Sequence, residues 1–571
     1  MNKAGICVEK HPHGMAISAP EGADRNSKLC ALGQRLAEKA YVSGERLIVP
    51  MYLAAEVLSA LGEDGASWEG DIFGYATRQR SGRDLQLRAR LEVASALEDP
   101  NAFLHDYPRI SILDPHQIEA VAALVAPSLQ GIALFDEQGT GKTMVALAAF
   151  DVLKIRRCVQ KLLVVAPKSV LGSWQEQAEC LVGNQWRISL VAGPAVQRRR
   201  AILRPHDVLL LGYEGAVHDE GLLRIVLAAR PLSYLLVIDE SFFVKNPETA
   251  RSVAVSRLRP LCERAVVLCG TPAPNAATDV VNQINIADTG VAFGGRVVST
   301  KGDAAIHEVM DGLQNAIFLR RLKVDVLPDL RPKEVIRVYM RLAPAQQGLY
   351  DRARSDLLVA VRKVDDRQFR RELTSFLARR LRLLQICSHP RACDPLYNEV
   401  PAKLMAIDRL MQELIEQQGK KVVVWSYFRV SLDAIAERYA HYGLTRIDGS
   451  ITSIASRISA IDRFQNDPSV RIFLGNAAAA GAGITLTAAH HAIYESFSNQ
   501  AAHYMQSGDR IHRRGQTEQV VSHVLITENT IEQSEYARLV AKEQAGRTLL
   551  GDEPEDGISR DRFLADLEHG A

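Results

Sequence analysis

Short, β-branched apolar runs recur along this chain in two separate series, each run followed by a helix-like segment. The first series comprises Gly131 to Phe135, Lys161 to Ala166, Asp207 to Leu211, Tyr234 to Ile238 and Ala265 to Leu268. The second comprises Val422 to Tyr427, Val470 to Leu474, His491 to Glu495 and Val520 to Ile526. Runs that stay apolar on both faces suit strands covered on both sides. Their alternation with helices argues for parallel sheets flanked by helices. The fold class expected is therefore α/β, with two parallel-sheet lobes. Between the series, residues 340–400 are mostly helical in pattern and rich in Arg and Leu, which places a helical insertion between the lobes.

At 571 residues the chain has room for two to four domains, each with its own core. Hydrophobic content of 47% and charged content of 24% are ordinary for a globular protein. A formal net charge of +2 says little about partners, because basic groups can concentrate in one cleft. The 8 cysteines form no C-x-x-C pair, which argues against structural zinc and for buried reduced thiols. The N-terminus leads into no apolar segment of signal-peptide type, and no apolar run approaches the ~18 residues that span a bilayer. The expectation is a soluble intracellular protein with no membrane partner, cytoplasmic or nuclear according to its source. The first 107 residues form a separate region of weaker signals. Its arginine-rich stretch from Thr77 to Arg90 reads as a solvated helix face, with a nucleic-acid surface as the alternative.

Three segments carry chemistry. Gly139-Thr140-Gly141-Lys142-Thr143 follows an apolar run and opens a helix, which makes an anion site from backbone N–H groups and a helix N-terminus. Lys142 can reach the β- and γ-phosphates of a nucleotide, and the Thr143 hydroxyl can ligate Mg²⁺. The match is to the loose G-x-G-K-T core, since Asp136 stands where the strict pattern has Gly. Asp239-Glu240 ends the run LLVIDE, so it points into the crevice at the carboxyl end of a parallel strand. Asp239 would hold Mg²⁺ through water, and Glu240 would activate the attacking water. Arg510 and Arg513, three apart, share a face on a helix and suit transition-state phosphate oxygens. The glycine loop and the arginine pair lie too far apart for one domain, so ATP would sit between two.

Taken together these segments resemble the Swi/Snf group of superfamily 2 helicase-type ATPases, over roughly residues 108–545 and in the family's order. Leu113 to Gln117 (LDPHQ) resembles the entry motif, in which the resemblance makes Gln117 the adenine reader. Asp136 to Thr143 (DEQGTGKT) is close to D-E-x-G-x-G-K-T. Ala166 to Ser169 with Trp174 resembles a DNA-contacting motif and gives Lys168 and Ser169 as contacts; Tyr213 with Glu214 matches the next. VIDESFFVKN, from Val237, resembles D-E-x-H-x-x-K-N. LCGTPAPN, from Leu268, resembles the motif that couples ATP state to DNA and brings in Thr271 and Asn275. FLRRLK (Phe318 to Lys323), LRPK (Leu330 to Lys333) and LQICSHP (Leu384 to Pro390) resemble signatures of the remodeller group. In the second lobe the resemblance runs through KVVVWSYF with Tyr427, RIDGS from Arg446, and Gly481 and Gly483, which touch DNA and nucleotide. Gln506 to Gln516 resembles the arginine-finger motif, and Thr530-Ile531-Glu532 the closing segment.

The resemblance implies two RecA-like lobes with the boundaries 1–107 (N-terminal accessory region of unknown fold), 108–334 (ATP-binding lobe 1), 335–400 (helical linker), 401–547 (lobe 2) and 548–571 (C-terminal tail). It implies ATP and Mg²⁺ as cofactors and double-stranded DNA as partner, with protein partners setting the pathway. The function implied is an ATP-dependent duplex translocase or remodeller that displaces bound protein without strand separation, in a length that fits a compact prokaryotic member. The alternative is an ATP-gated binding or scaffolding subunit of a defence or repair complex, with slow regulatory hydrolysis. Three departures from the family pattern bear on that choice: Phe242 in place of His, Thr485 in place of Asn, and Phe497-Ser498-Asn499-Gln500 in place of Trp-Asn-Pro.

Overall fold

The computed structural model of the chain describes residues 6–11, 14–19, 31–34, 40–43, 46–49, 53–63, 66–229, 234–273, 278–294, 303–451, 453–480, 484–498, 501–547 and 560–568. Its centre is a pair of parallel sheets. The first has seven strands in the order Phe318–Leu319, Gly131–Leu134, Arg264–Leu268, Tyr234–Asp239, Lys161–Ala166, Val208–Gly212, Ile188–Val191, every neighbour parallel. Side chains alternate across it with the period of a strand. Leu162, Val164, Leu210 and Val237 enter one core, and Leu163, Val165, Leu209 and Leu236 enter the core on the opposite face. Each such buried side chain contributes about 1.5–3 kcal/mol, which is why the central strands keep polar residues such as Lys161, Asp239 and Arg264 to their ends.

The second sheet has six strands, again all parallel: Glu334–Met340, Val521–Thr527, His491–Tyr494, Val422–Trp425, Ile472–Gly475, Leu444–Ile447. Val422 and Val424 face one core, while Val423 and Trp425 face the other. The two sheets are the RecA-like lobes expected from the apolar runs. One strand was not expected. Glu334–Met340 belongs to the second sheet, pairing residue for residue with Val521–Thr527, so the stretch 335–400 assigned to a helical linker opens with a strand, and the helical pattern of 340–400 follows it. This strand lies at the sheet's edge with most of its residues exposed. It therefore lacks the apolar signature of the others.

Helices Pro344–Arg362 and Asp366–Ser388 form the insertion. The tail contributes to the same unit: within helix Arg560–Glu568, Phe563 sits 5.5 Å from the Phe369 ring, and Asp566 accepts from Arg380 at 3.0 Å. The N-terminal region has a five-stranded sheet of its own, with strands Cys7–His11 and Gly14–Ser18 antiparallel. Helix Gly70–Glu98 joins that region to lobe 1 over roughly 43 Å. Its Ile72 and Ala76 enter the N-terminal core, and its Ala89, Val93 and Ala96 enter that of lobe 1. Arg78, Arg80, Arg88 and Arg90 line its solvent side, and Arg83 pairs with Glu56 at 2.7 Å.

Of the thiols, Cys262, Cys269 and Cys387 are buried, but Cys158 and Cys180 are exposed, one in the turn after a helix and one on a helix's outer face. Among the described residues no helix is long and apolar enough to cross a membrane.

Lobe 2 is also held by a buried polar knot. Lys403, fully buried, donates to Glu532 Oε1 and to the Glu495 carbonyl, each at 2.5 Å. Hydroxyls of Ser388, Ser426 and Ser496 donate to the Glu495 carboxylate at 2.6 to 2.7 Å. Burial opposes the Lys403 charge, yet the Glu532 and Glu495 carboxylates hold its pKa above the usual value. Removing one member of a buried pair strands the other. Lys403→Ala is expected to destabilise the protein by about 3–5 kcal/mol, read as a drop in the denaturant midpoint; an unchanged midpoint would show that the knot is not needed.

Candidate active site

The carboxyl ends of the first sheet's central strands meet the second lobe in a cleft, and the chemistry-bearing residues collect there. Strand Gly131–Leu134 runs into a loop that turns at Gly139 (φ 90°) and Gly141 (φ 92°) before helix Lys142–Ile155 begins. The turn requires glycine twice over. Positive φ penalises any side chain, and a Cβ on Gly141 would lie 2.2 Å from Gln117 Nε2. A Cβ on Gly139 would lie 2.9 Å from the Cβ of Arg513, which belongs to the other lobe.

Lys142 is buried, with its Nζ donating to Asp136 O (2.8 Å), Glu137 O (3.1 Å) and Gln138 Oε1 (3.3 Å). Burial pushes its pKa down, and the Glu240 and Asp136 carboxylates oppose that. Gln117 is buried beneath the loop. Its Oε1 accepts from Asp114 N at 3.0 Å, and its Nε2 donates to Thr140 O at 3.3 Å. Gln117 thus braces the glycine loop in this conformation. Thr140 caps its own turn onto Glu137 O at 2.9 Å, and Thr143 is half-buried at the first turn of the helix.

The acidic pair closes the opposite wall. Asp239 ends strand Tyr234–Asp239; its Oδ2 accepts from Trp174 Nε1 at 2.8 Å and its Oδ1 from Glu240 N at 2.9 Å. Glu240 adopts the left-handed conformation (φ 51°), a strain of about 1–2 kcal/mol that turns its chain off the strand line. Its Oε1 accepts from Gln138 Nε2 at 2.6 Å and its Oε2 from Gln506 Nε2 at 3.5 Å, one donor from each lobe. Burial raises the proton affinity of both carboxyls. Trp174 and Lys142 oppose this at Asp239; at Glu240 the Asp239 charge adds to it, while Arg510 and Lys142 oppose it.

From the second lobe, Arg510 is 2% exposed, and among the described residues its Nε and Nη2 have no hydrogen-bond partner. Burial lowers its pKa against the pull of Glu240, Asp509 and Asp239. Arg513 lies against the loop, with Nη1 donating to Ile484 O at 3.3 Å; burial pushes its pKa down to about 10. Lys323 ties the two lobes. Its backbone N donates to Glu137 Oε2 at 2.8 Å, and its Nζ to Asp509 Oδ1 at 2.5 Å and His512 O at 2.8 Å. Arg514 reaches Asp114 Oδ1 across the cleft at 2.8 Å, and Arg321 holds both oxygens of Asp136. The FLRRLK segment therefore serves the loop itself. Its identity as a group signature carried no hint of that contact set.

The expected nucleic-acid residues are less uniform. Lys168 is exposed, with its Nζ 3.9 Å from Glu214; Ser169 is half-buried and Tyr427 exposed. Thr271 is buried, and among the described residues its hydroxyl has no hydrogen-bond partner. Tyr213 departs from expectation. Its ring is 2% exposed, and its hydroxyl donates to Asp239 O at 2.7 Å, so it supports the acidic pair from beneath instead of facing a strand of DNA. Asn275, Gly481 and Gly483 lie outside the described residues. Phe242, in place of the usual His, stacks on Phe243 at 4.4 Å, and Phe243 packs on Tyr213 at 5.4 Å.

The donor set fits a polyphosphate. A buried lysine, two guanidinium nitrogens without a partner among the described residues and a glycine-turn helix start come together in the cleft. Asp239 with Thr143 suits Mg²⁺, which takes one or two protein oxygens and leaves the rest to water and phosphate. Among the described residues no group of three or more His, Cys, Asp or Glu could hold a metal.

Residues 116–392 match the SNF2-related domain and residues 404–515 the helicase conserved C-terminal domain. The chain is 28% identical to the ISWI chromatin-remodeling complex ATPase ISW1 of Saccharomyces cerevisiae, over 80% of this chain and 43% of that protein. It is 26% identical to an uncharacterized ATP-dependent helicase of Mycoplasma pneumoniae, over 78% of this chain and 44% of that protein. It thus spans less than half the length of these relatives. The Sulfolobus solfataricus SWI2/SNF2 ATPase core in complex with dsDNA matches 76% of this chain and 96% of its own, at 24% identity and a TM-score of 0.35.

Gly141→Ala must either displace Gln117 or open the turn. Left-handed strain of about 1–2 kcal/mol plus that clash corresponds to at least about ten-fold weaker retention of ATP by filter binding, with far-UV circular dichroism unchanged. Wild-type retention would show that the loop is not the phosphate cradle.

Proposed function

We propose, from the premise that this chain belongs to the Swi/Snf-type helicase-like ATPases of superfamily 2, that it is an ATP-driven translocase on double-stranded DNA. The observation that carries the reading is the cleft itself. Lys142, Asp239 and Glu240 come from one lobe, Arg510 and Arg513 from the other, and among the described residues the buried guanidinium of Arg510 lacks partners for two of its nitrogens.

In this reading the loop N–H groups and Lys142 bind the phosphates, and Asp239 with Thr143 holds Mg²⁺. Mg²⁺ would neutralise the phosphate charge. Glu240 orients the attacking water and accepts its proton, which its raised proton affinity favours. Arg510 and Arg513 stabilise the charge that spreads over the transferring phosphoryl group. A site completed only when two lobes close converts each turnover into a relative movement of those lobes. Contacts to phosphates on alternate lobes would then carry the chain along a duplex with little sequence preference and strong salt dependence. The relatives are named for chromatin remodelling and for ATP-dependent helicase activity, and in this reading the movement along DNA displaces bound protein.

The test is steady-state ATP turnover with duplex DNA, single-stranded DNA, RNA and no nucleic acid. Duplex DNA is expected to stimulate it most. Lys142→Ala should abolish nucleotide retention. Glu240→Gln and Arg510→Ala should still bind ATP but turn it over about 10²–10⁴-fold more slowly. Failure of every nucleic acid to stimulate would remove the translocase reading. Unimpaired turnover in Arg510→Ala and Arg513→Ala would remove the two-lobe site.

A further inference from the structure

Gln138 stands in the space that the proposed chemistry needs. Its Oε1 accepts from Lys142 Nζ at 3.3 Å, and its Nε2 donates to Glu240 Oε1 at 2.6 Å, so one amide spans the gap between ammonium and carboxylate. The Lys142 protons are divided among Asp136 O, Glu137 O and Gln138 Oε1, which leaves none for a phosphate in this arrangement. The Glu240 carboxylate is likewise occupied, by Gln138 on one oxygen and Gln506 on the other. The chain makes room for this side chain. A Cβ at Gly270 would lie 2.3 Å from Gln138 Oε1 and 3.1 Å from its Cβ. Gly270 in turn is fixed by its carbonyl, which accepts from Arg320 Nη1 at 3.1 Å.

Only a side chain that accepts at one end and donates at the other can satisfy both neighbours. An amide does so without charge. A carboxylate would bind Lys142 but repel Glu240, an ammonium would do the reverse, and a thioether would serve neither.

We propose that Gln138 is a positioning residue that holds Lys142 and Glu240 in a self-satisfied resting arrangement, and that a nucleoside triphosphate must displace its amide from Lys142 to bind. The proposal rests on the reading of the cleft as the ATP site. Gln138 then sets the nucleotide affinity of the resting protein and keeps Glu240 engaged until the γ-phosphate arrives. Lys142 exchanges one acceptor for another on binding, and the gain is the difference between the two.

The experiment is equilibrium binding of a fluorescent, slowly hydrolysed ATP analogue to the full chain, comparing wild type with Gln138→Met and Gln138→Glu. Loss of a charge-assisted competitor is expected to tighten binding about ten-fold in Gln138→Met. Gln138→Glu, a stronger competitor for Lys142, is expected to weaken it by about ten-fold or more. General damage to the loop would weaken both, so the opposite signs separate a positioning role from a structural one. Binding by Gln138→Met equal to or weaker than wild type overturns the proposal while leaving the cleft an ATP site. Absence of nucleotide binding in all three proteins overturns the cleft reading as well.

Discussion

A guanidinium buried with unfilled hydrogen-bonding capacity governs the rest of this structure. Arg510 is 2% exposed, and its Nε and Nη2 meet no acceptor among the described residues. Taking such an ion out of water costs several kcal/mol unless charges or hydrogen bonds offset it. Asp239 and Glu240 supply part of that offset from the opposite lobe, which is why the three groups shift one another's proton affinity. The offset exists only while the lobes are together. The lobes in turn are held by contacts made outside the chemistry: Lys323 to Asp509, Arg514 to Asp114, and the backbone of Lys323 to Glu137. The molecule is thus arranged so that closing the cleft creates an electrostatic demand that protein groups alone leave unmet. A polyphosphate is the kind of ligand that meets it.

The same logic explains what could be read in the sequence. The two sheets were legible because strands covered on both faces must be apolar where they are buried, as Leu162 to Ala166 and Val422–Trp425 are. The glycine loop and acidic pair were legible because positive φ and a strand-end carboxylate restrict residue choice. What was not legible depends on neighbours distant in sequence. The edge strand Glu334–Met340 has a mixed, mostly exposed pattern, and only its parallel partner Val521–Thr527 makes it a strand. Helix Arg560–Glu568 joins the insertion through Phe563 and Asp566, a docking that no local pattern announces. The N-terminal region gave weak signals because its strands are short and mostly antiparallel; helix Gly70–Glu98 is nearly devoid of an apolar stripe because its two ends serve different cores.

The polar network of lobe 2 is a second case. Segments that stand out as group signatures in sequence, LQICSHP and Thr530-Ile531-Glu532, meet in space through Ser388, Glu495, Lys403 and Glu532. Their residue types are fixed by mutual satisfaction inside a buried knot, where each hydroxyl or charge needs its counterpart. A motif can therefore persist for the sake of a lobe's internal order as readily as for contact with a substrate, and here burial favours the former. FLRRLK differs in that its last residue, Lys323, crosses the cleft.

Phe242 and Tyr213 recast how the acidic pair is connected to its surroundings. A histidine at position 242 would offer a polar relay out of the acidic box; phenylalanine offers a packed one. Phe242 stacks on Phe243, Phe243 on Tyr213, and Tyr213 donates its hydroxyl to the carbonyl of Asp239. Arg251 lies 5.3 Å from the Phe243 ring and pairs with Glu214 at 2.7 Å, which in turn lies 3.9 Å from Lys168 Nζ. A chain of contacts thus runs from an exposed lysine to the strand end that carries the acidic pair. It passes through aromatic faces, which transmit displacement by steric contact and not by proton transfer. Close-packed interiors transmit strain of this kind, and Tyr213 is where it reaches the carboxylates. Phe242 is not itself a link in that chain; it stacks on the Phe243 ring that is. The link from Lys168 to the acidic pair therefore depends on ring contact at Phe243 and Tyr213, with Phe242 packed behind it.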